Sequence, residues 1–123
     1  MVSGIFDQNN LLGKALQVTS LRNDVINTNI ANADTPGYKR KTVSFEDMFQ
    51  QAVYAKNASA ADIAKLTPTV QVADPGFSGR LDENNVDIEQ EMTEMYKNAL
   101  RNDVLVGGIT SNQKRLALVY EIK

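Results

Sequence analysis

Cysteine, histidine and tryptophan are all absent from this sequence. Without cysteine and histidine, the chain has no thiolate nucleophile, no disulfide, no imidazole base and no zinc site of the usual kind. These absences argue against most enzymatic chemistry, so we expect neither an enzyme nor a cofactor-binding protein. The lack of cysteine also suits a protein that crosses a membrane without forming cross-links.

Strong charge and long apolar runs are missing as well. The formal net charge is −2, and no segment has the basic excess that binding to phosphate groups requires. The apolar runs are only a few residues long, so no transmembrane helix is predicted. The N-terminus, Met1-Val2-Ser3-Gly4, lacks the basic and apolar regions of a signal peptide, and we expect any export to use another route. The length suits a single domain over residues 1–123.

The first predicted helix covers residues 8–33. Its side chains at steps of four and three form a heptad seam: Leu12, Leu16, Thr19, Asn23, Ile26 and Ile30. Six asparagines lie in the same stretch and weaken the helix, because the asparagine amide competes for backbone hydrogen bonds. We therefore expect this helix to be marginal alone and to need a packing partner.

The middle segment, residues 34–86, starts where the first helix must stop. Pro36 cannot continue the helix, and Pro36-Gly37 suits the centre of a type II turn, in which Gly37 takes a φ of about +80°. Residues 42–45 and 70–72 alternate in the manner of short strands. The alanine-rich stretch between them, with prolines and glycines further on, predicts a flexible or β-containing excursion.

The strongest predicted element is a helix over residues 87–121. Asp87 is a good N-cap, and Gln90 three residues later completes a capping box. A second heptad seam follows: Ile88, Met92, Met95, Ala99, Asn102, Val106, Ile109, Gln113, Leu116 and Tyr120. Such a helix is roughly 50 Å long, which is more than one small domain needs. Part of the seam should therefore face another chain.

Together these elements predict a mainly α fold, in which two long terminal helices with heptad seams form a coiled-coil-like hairpin or bundle around an irregular middle with short β segments. The expected assembly interface consists of Leu12, Leu16, Ile26, Ile30, Met92, Met95, Ala99, Val106, Ile109 and Leu116. The seam amides Asn23, Asn102 and Gln113 allow two interpretations. They are either buried groups that fix register and partner number, or sites where the helices bend towards solvent.

The acidic residues from Asp82 to Glu94 suggest a metal site or acid–base chemistry, but the pattern fits neither. An EF-hand loop starting at Asp82 fails because Val86 replaces an oxygen ligand and Asp87 replaces the glycine. Catalytic carboxylates need a cleft that raises one pKa, whereas these lie at a helix start. We interpret them as helix caps and a solvated acidic face. Lys39-Arg40-Lys41 is interpreted as a solvated basic turn, since no second basic cluster supports nucleic-acid binding.

The string from Asn29 to Lys39 resembles the signature of the flagellar axial proteins, the family of rod, hook and hook-associated subunits. Its turn comprises Asn32, Ala33, Asp34, Thr35, Pro36, Gly37 and Tyr38. Phe45-Glu46-Asp47 and the approach to the last helix, Asn84-Asn85-Val86-Asp87, resemble the proximal rod proteins of that family. The regular turn favours these over the sister rod protein FlgC. Glu83 stands where the family often has glycine.

The resemblance implies a structural, non-enzymatic subunit that self-assembles through its terminal helices into the proximal rod of the bacterial flagellar basal body. It also implies export to the periplasmic rod by the flagellar type III system without a cleavable signal peptide. The implied partners are further copies, the rod proteins FlgC, FlgF and FlgG, the adaptor FliE, and the ring and export-gate base, with no nucleic acid and no direct membrane span. The alternative is a cytoplasmic helical adaptor or chaperone that binds partners through the same seams.

Overall fold

The computed structural model of the chain describes residues 2–47, 50, 65–73 and 80–121. Two long helices flank a two-stranded antiparallel sheet, which confirms the predicted fold class. In chain order the elements are α1 (Val2–Ala31), β1 (Lys41–Ser44), β2 (Thr69–Val72) and α2 (Ile88–Glu121).

Helices α1 and α2 pair with each other within one chain. Asn112 of α2 contacts Asn9 of α1 at one end of the pair, and Glu91 contacts Asn29 at the other. Because the residue numbers rise along one helix as they fall along the other, the helices run antiparallel. Each helix is the packing partner that the other needs, and the asparagine-rich α1 is therefore supported along its length.

The line of α2 that contacts α1 differs from the seam that the sequence predicts. Its most buried positions repeat every seven residues at Glu91, Asn98 and Asn112, with the half-buried Leu105 between them. Ala99 and Val106 of the predicted seam are exposed, whereas its Met95 and Ile109 are half-buried beside this line. At 3.6 residues per turn, the predicted seam is rotated by roughly one fifth of a turn from this buried line. A search for apolar periodicity passes over this line because its buried side chains are mostly polar.

The sheet packs on α1 through β1. Its register aligns Lys41 with Val72 and Ser44 with Thr69, and the strands predicted at residues 42–45 and 70–72 are thus confirmed to within one residue. Every residue of β2 is exposed, so β1 carries the packing. The apolar core consists of Val18, Val25, Val43 and Phe45, with Leu21 and Leu66 packed against it.

Polar residues make up almost half of what the described part of the chain buries. Seven apolar side chains are buried, and six polar or charged residues are buried beside them: Thr19, Asn29, Asn84, Glu91, Asn98 and Asn112. Apolar burial of this extent is non-directional and selects no single alignment of two helices. The hydrogen bonds of the polar residues must therefore define the arrangement.

Among the residues that the structure describes, two adopt a left-handed backbone. Gly37 has φ +71°, and the Tyr38 N–H donates to the Thr35 carbonyl oxygen at 3.2 Å, which confirms the predicted turn. Glu83 has φ +60°, a conformation that costs about 1–2 kcal/mol for a residue with a Cβ. Glycine, which the family resemblance leads us to expect at position 83, avoids this penalty.

We expect Glu83→Gly to stabilise the chain, because glycine relieves the left-handed strain. Glu83→Ala is the matched control, since it removes the carboxylate but keeps the Cβ. The glycine variant should exceed the alanine variant by about 0.5–1 kcal/mol in the free energy of unfolding, measured by urea denaturation. Equal stabilities for the two variants would show that residue 83 carries no strain.

Candidate assembly interface

Asn29 of α1 is fully buried and uses every hydrogen-bonding position of its amide. Its Nδ2 donates to the Lys41 carbonyl oxygen at 2.8 Å and to Glu91 Oε2 at 3.0 Å. Its Oδ1 accepts from the Lys41 N–H at 2.9 Å and from the Tyr38 hydroxyl at 3.2 Å. The amide therefore pairs with the Lys41 backbone as a neighbouring strand would, and it joins α1 to the start of β1.

Glu91, in the first turn of α2, is a carboxylate with no solvent exposure. It accepts hydrogen bonds from Asn29 and from Nε of Arg40, whose side chain is 16% exposed. A buried carboxylate costs several kcal/mol unless a countercharge and hydrogen bonds compensate it, and Arg40 supplies the countercharge. Burial, followed by the charge of Glu91, raises the pKa of the Tyr38 phenol, which favours its role as hydrogen-bond donor to Asn29.

These contacts correct two expectations from the sequence. Glu91 does not belong to a solvated acidic face, and Arg40 does not belong to a solvated basic turn. The buried Glu91 and the half-buried Arg40 form an ion pair across 51 residues of sequence. The spacing of residues within either segment does not predict this ion pair. The two side chains meet only when α2 packs against the residues that follow the signature turn. We refer to Asn29, Tyr38, Arg40, Lys41 and Glu91 as the polar cluster.

Asn84 anchors the turn that follows α1. Its side chain is 1% exposed, and its Nδ2 donates to the carbonyl oxygens of Asn32 at 2.9 Å and of Thr35 at 2.8 Å. Asn32 and Thr35 lie just beyond the end of α1, in the turn that follows it. Asn84, which lies more than forty residues later in the chain, therefore holds this turn in place.

The backbone of the signature turn is held by the same later segment. The Gly37 N–H donates to the Asp82 carbonyl oxygen at 2.7 Å, and the Arg40 N–H donates to Asn85 Oδ1 at 2.6 Å. Arg80 donates to the Ala33 carbonyl oxygen at 3.2 Å, and its hydrogen bond to Asp82 lowers the pKa of that carboxyl. Within the signature, Ala33 is buried, Asn32 and Tyr38 are half-buried, and residues 34–37 are exposed. The tip of the turn is therefore exposed to solvent, while hydrogen bonds to the later segment hold the turn in place.

Two further amides set the register of α1 against α2. Nδ2 of Asn98 donates to the Thr19 carbonyl oxygen at 2.8 Å, and Nδ2 of Asn112 donates to Asn9 Oδ1 at 3.1 Å. The amides considered in the sequence lie elsewhere: Asn23 and Gln113 are exposed, and Asn102 is half-buried. The seven-residue spacing of Glu91, Asn98, Leu105 and Asn112 is the sequence signal that would have identified the buried line.

The residues expected at the assembly interface differ in their exposure within the helix pair. Ile26 is buried, and Ala99 and Val106 are exposed. The others are half-buried: Leu12, Leu16, Ile30, Met92, Met95, Ile109 and Leu116. Gly108 faces Leu12, and a Cβ built on Gly108 lies 3.5 Å from the Leu12 side chain, so the glycine allows close contact within the pair.

Two grooves flank the line along which α1 and α2 touch. The apolar groove has a volume of about 570 Å³ and is bordered by Ala15, Val18, Arg22, Phe45, Arg101 and Val104. The polar notch has a volume of about 280 Å³ and is bordered by Ser20, Asn23, Asn98, Ala99, Asn102 and Asp103. At 3.6 residues per turn these two sets lie on opposite sides of Thr19 on α1 and of Asn98 on α2. The pair therefore has two distinct lateral surfaces.

Comparison with known proteins decides the family. The model of a family described as "Flagella basal body rod protein" matches residues 10–39, which span most of α1 and the signature turn. The flagellar basal body rod protein FlgB of Bacillus subtilis is 35% identical over 101 residues, which are 77% of this chain and 78% of that protein. FlgB of Aeromonas hydrophila is 33% identical over 94 residues, or 70% and 71% of the two chains. The chain belongs to the FlgB family of flagellar basal body rod proteins.

The family assignment confirms the resemblance seen in the signature string. FlgB of Aquifex aeolicus is similar over a comparable range, with 37% identity over 93 residues, or 74% of each chain. The chain is a structural subunit of the flagellar basal body rod, where it assembles with other basal body proteins, and it is not an enzyme. Among the helices described, none is both long and apolar enough to cross a membrane.

The polar cluster should dominate the stability of the chain. We expect Glu91→Ala to lower the free energy of unfolding by about 3–5 kcal/mol, because it leaves the Arg40 guanidinium without its countercharge. The double variant Arg40→Met/Glu91→Met removes both charges and should be less destabilised than Glu91→Ala.

The matched control is Glu94→Ala, which removes a carboxylate from the same helix. Its partner Lys97 is exposed, so the loss should stay below about 1 kcal/mol. Urea denaturation followed by circular dichroism measures all three variants. Similar losses for Glu91→Ala and Glu94→Ala would refute the special position of Glu91.

Proposed function

We propose that the chain polymerises into the proximal rod through the lateral surfaces of the α1–α2 pair. The observation that carries this proposal is the apolar surface left over once the pair has formed. Val106 is 45% exposed and Ala99 is also exposed, although both lie on a heptad seam. Exposed apolar side chains at heptad spacing favour contact with further helices.

A second argument comes from the length of the pair. Helix α2 has 34 residues and is therefore roughly 50 Å long, and α1 covers it over most of this length. Two paired helices can bury only the sides that face each other, so the remaining sides of both are available to neighbours. An elongated helix pair with apolar lateral surfaces suits packing side by side into a tube.

The polar cluster and Asn84 give the subunit the rigidity that polymerisation requires. They hold the signature turn, β1 and the start of α2 in one arrangement, so each subunit presents the same surfaces to its neighbours. Buried polar groups commonly fix register at a cost in stability. We propose that these residues define the subunit geometry, whereas Leu12, Leu16, Ile26, Ile30, Met92, Met95, Ala99, Val106, Ile109 and Leu116 supply the interface.

The finer assignments rest on the family resemblance. We propose that the subunit acts as a single domain and contacts the rod proteins FlgC, FlgF and FlgG, the adaptor FliE, and the ring and export-gate base. The site of assembly is then the periplasmic part of the basal body. The flagellar type III system is the proposed export route. No contact of the helix pair favours a cytoplasmic adaptor or chaperone over this assignment.

Two substitutions test the interface. Leu16→Asp and Ile109→Asp place a charge on the half-buried seam, and each should prevent rod assembly, because an unpaired charge in an apolar contact costs several kcal/mol. The matched controls Gln17→Asp and Ser111→Asp change exposed positions on the same helices and should assemble normally. Circular dichroism of each purified variant verifies folding, and electron microscopy of basal bodies scores assembly. Rods built from a folded Leu16→Asp or Ile109→Asp variant would contradict the proposal.

The export proposal has its own test. We propose that the first residues carry the export information. Replacing residues 2–11 by a glycine–serine segment of equal length should stop secretion, measured by immunoblotting of the periplasmic fraction. A Leu16→Asp variant should still be secreted, which separates export from assembly. Unchanged secretion of the replacement variant would place the signal elsewhere in the chain.

A further inference from the structure

The two lateral surfaces of the helix pair carry opposite kinds of charge. On the side of the polar notch, Asp24 and Asp103 are exposed, and within the described part of the chain neither forms an ion pair. The notch has no basic residue in its lining. This surface therefore offers hydrogen-bond acceptors and negative charge but lacks a cation.

The notch also contains an unpaired acceptor. Asn98 is 3% exposed, and its Oδ1 has no hydrogen-bond partner among the described residues, while its Nδ2 is held by the Thr19 carbonyl oxygen. A buried polar atom without a partner is costly and uncommon. The acceptor and the nearby Asp103 together favour a donor that enters from outside the chain.

The surface that carries the apolar groove has positive charge where the notch side has negative charge. Arg22 and Arg101 border the groove, and Arg22 is paired with Glu46. Arg101 is exposed and forms no ion pair in the described ranges, although its charge contributes to the lowered pKa of Glu94. Leu100 and Val104 beside it are 68% and 74% exposed. This surface therefore presents an unpaired cation beside apolar side chains.

We propose that a second copy of this chain docks its apolar-groove side onto the polar-notch side of the first, with Arg101 of one copy directed at Asp103 and the Asn98 amide oxygen of the other. Leu100 and Val104 then cover Ala99 and the small residues around the notch. This inference rests on the proposed polymerisation and assigns each lateral surface its partner.

The charges decide between the ways in which two copies can meet. Pairing of two identical notch sides places Asp103 against Asp103, and pairing of two groove sides places Arg101 against Arg101. Both arrangements bring like charges together, which disfavours association. Only the heterologous contact joins opposite charges, and a heterologous contact repeats from copy to copy into a ring or an open helix.

Cysteine cross-linking tests the arrangement directly, because the chain has no cysteine of its own. Val104→Cys labels the groove side and Ala99→Cys labels the notch side. A chain that carries both substitutions should give a ladder of cross-linked multimers in basal bodies treated with a short bismaleimide reagent. Each single variant should stay monomeric. Dimers from a single variant, or basal bodies that contain the doubly labelled chain without a ladder, would overturn the arrangement.

Charge exchange tests the Arg101–Asp103 contact in the doubly labelled chain. Arg101→Asp or Asp103→Arg alone should reduce the ladder by about tenfold, since each places like charges at the contact. The variant with both exchanges should restore the ladder, as should a mixture of the two single-exchange chains. Lys114→Glu reverses an exposed charge outside both grooves and should leave the ladder unchanged. Failure of the double exchange to restore it would refute the contact.

The basal-body preparation also distinguishes this inference from the proposed function. If the chain is present in basal bodies but the notch and groove labels never cross-link, the lateral assignment is wrong and the polymerisation proposal stands. If the chain is absent from basal bodies, both are overturned.

Discussion

The buried carboxylate of Glu91 is the contact on which the arrangement of the chain depends. It receives hydrogen bonds from Asn29 in the first helix and from Arg40 in the signature turn, and it lies in the first turn of the last helix. Three segments that are distant in sequence meet at this one side chain. A charge without solvent exposure tolerates little displacement of its partners, because each lost bond leaves an unpaired buried group. The α1–α2 pair is thereby restricted to a single arrangement.

The same need for one defined arrangement explains why the interior is so polar. Asn84, Asn98 and Asn112 each use a side-chain amide to bond a group in the opposite segment. A purely apolar contact between two helices of this length would allow several registers of similar energy, whereas each amide accepts only one. A rod subunit needs identical surfaces in every copy, and directional bonds inside the subunit provide them. Part of the apolar surface remains exposed on the helix pair, at residues such as Val104 and Val106.

The two lateral grooves extend this division from the subunit to the assembly. The apolar groove is bordered by Arg101 and the polar notch by Asp103, and neither charge is paired within the part of the chain that the structure describes. Side chains that are unsatisfied within one chain are complementary between two. A subunit with different lateral surfaces polymerises in one direction, as a rod requires, and does not terminate as a symmetric dimer.

The sequence by itself determined the two helices, the type II turn at Gly37, both short strands and the family. These features depend on local periodicity, on proline and glycine geometry, and on a continuous signature string, all of which act within a few residues. The tertiary structure alone decided which line of the last helix faces the first, that Glu83 takes a glycine-like conformation, and that the half-buried Arg40 pairs with the buried Glu91. Apolar patterning identified a seam roughly one fifth of a turn away. It cannot recognise that Glu91 and Asn98 become favourable in the interior once Arg40, Asn29 and Thr19 lie opposite them.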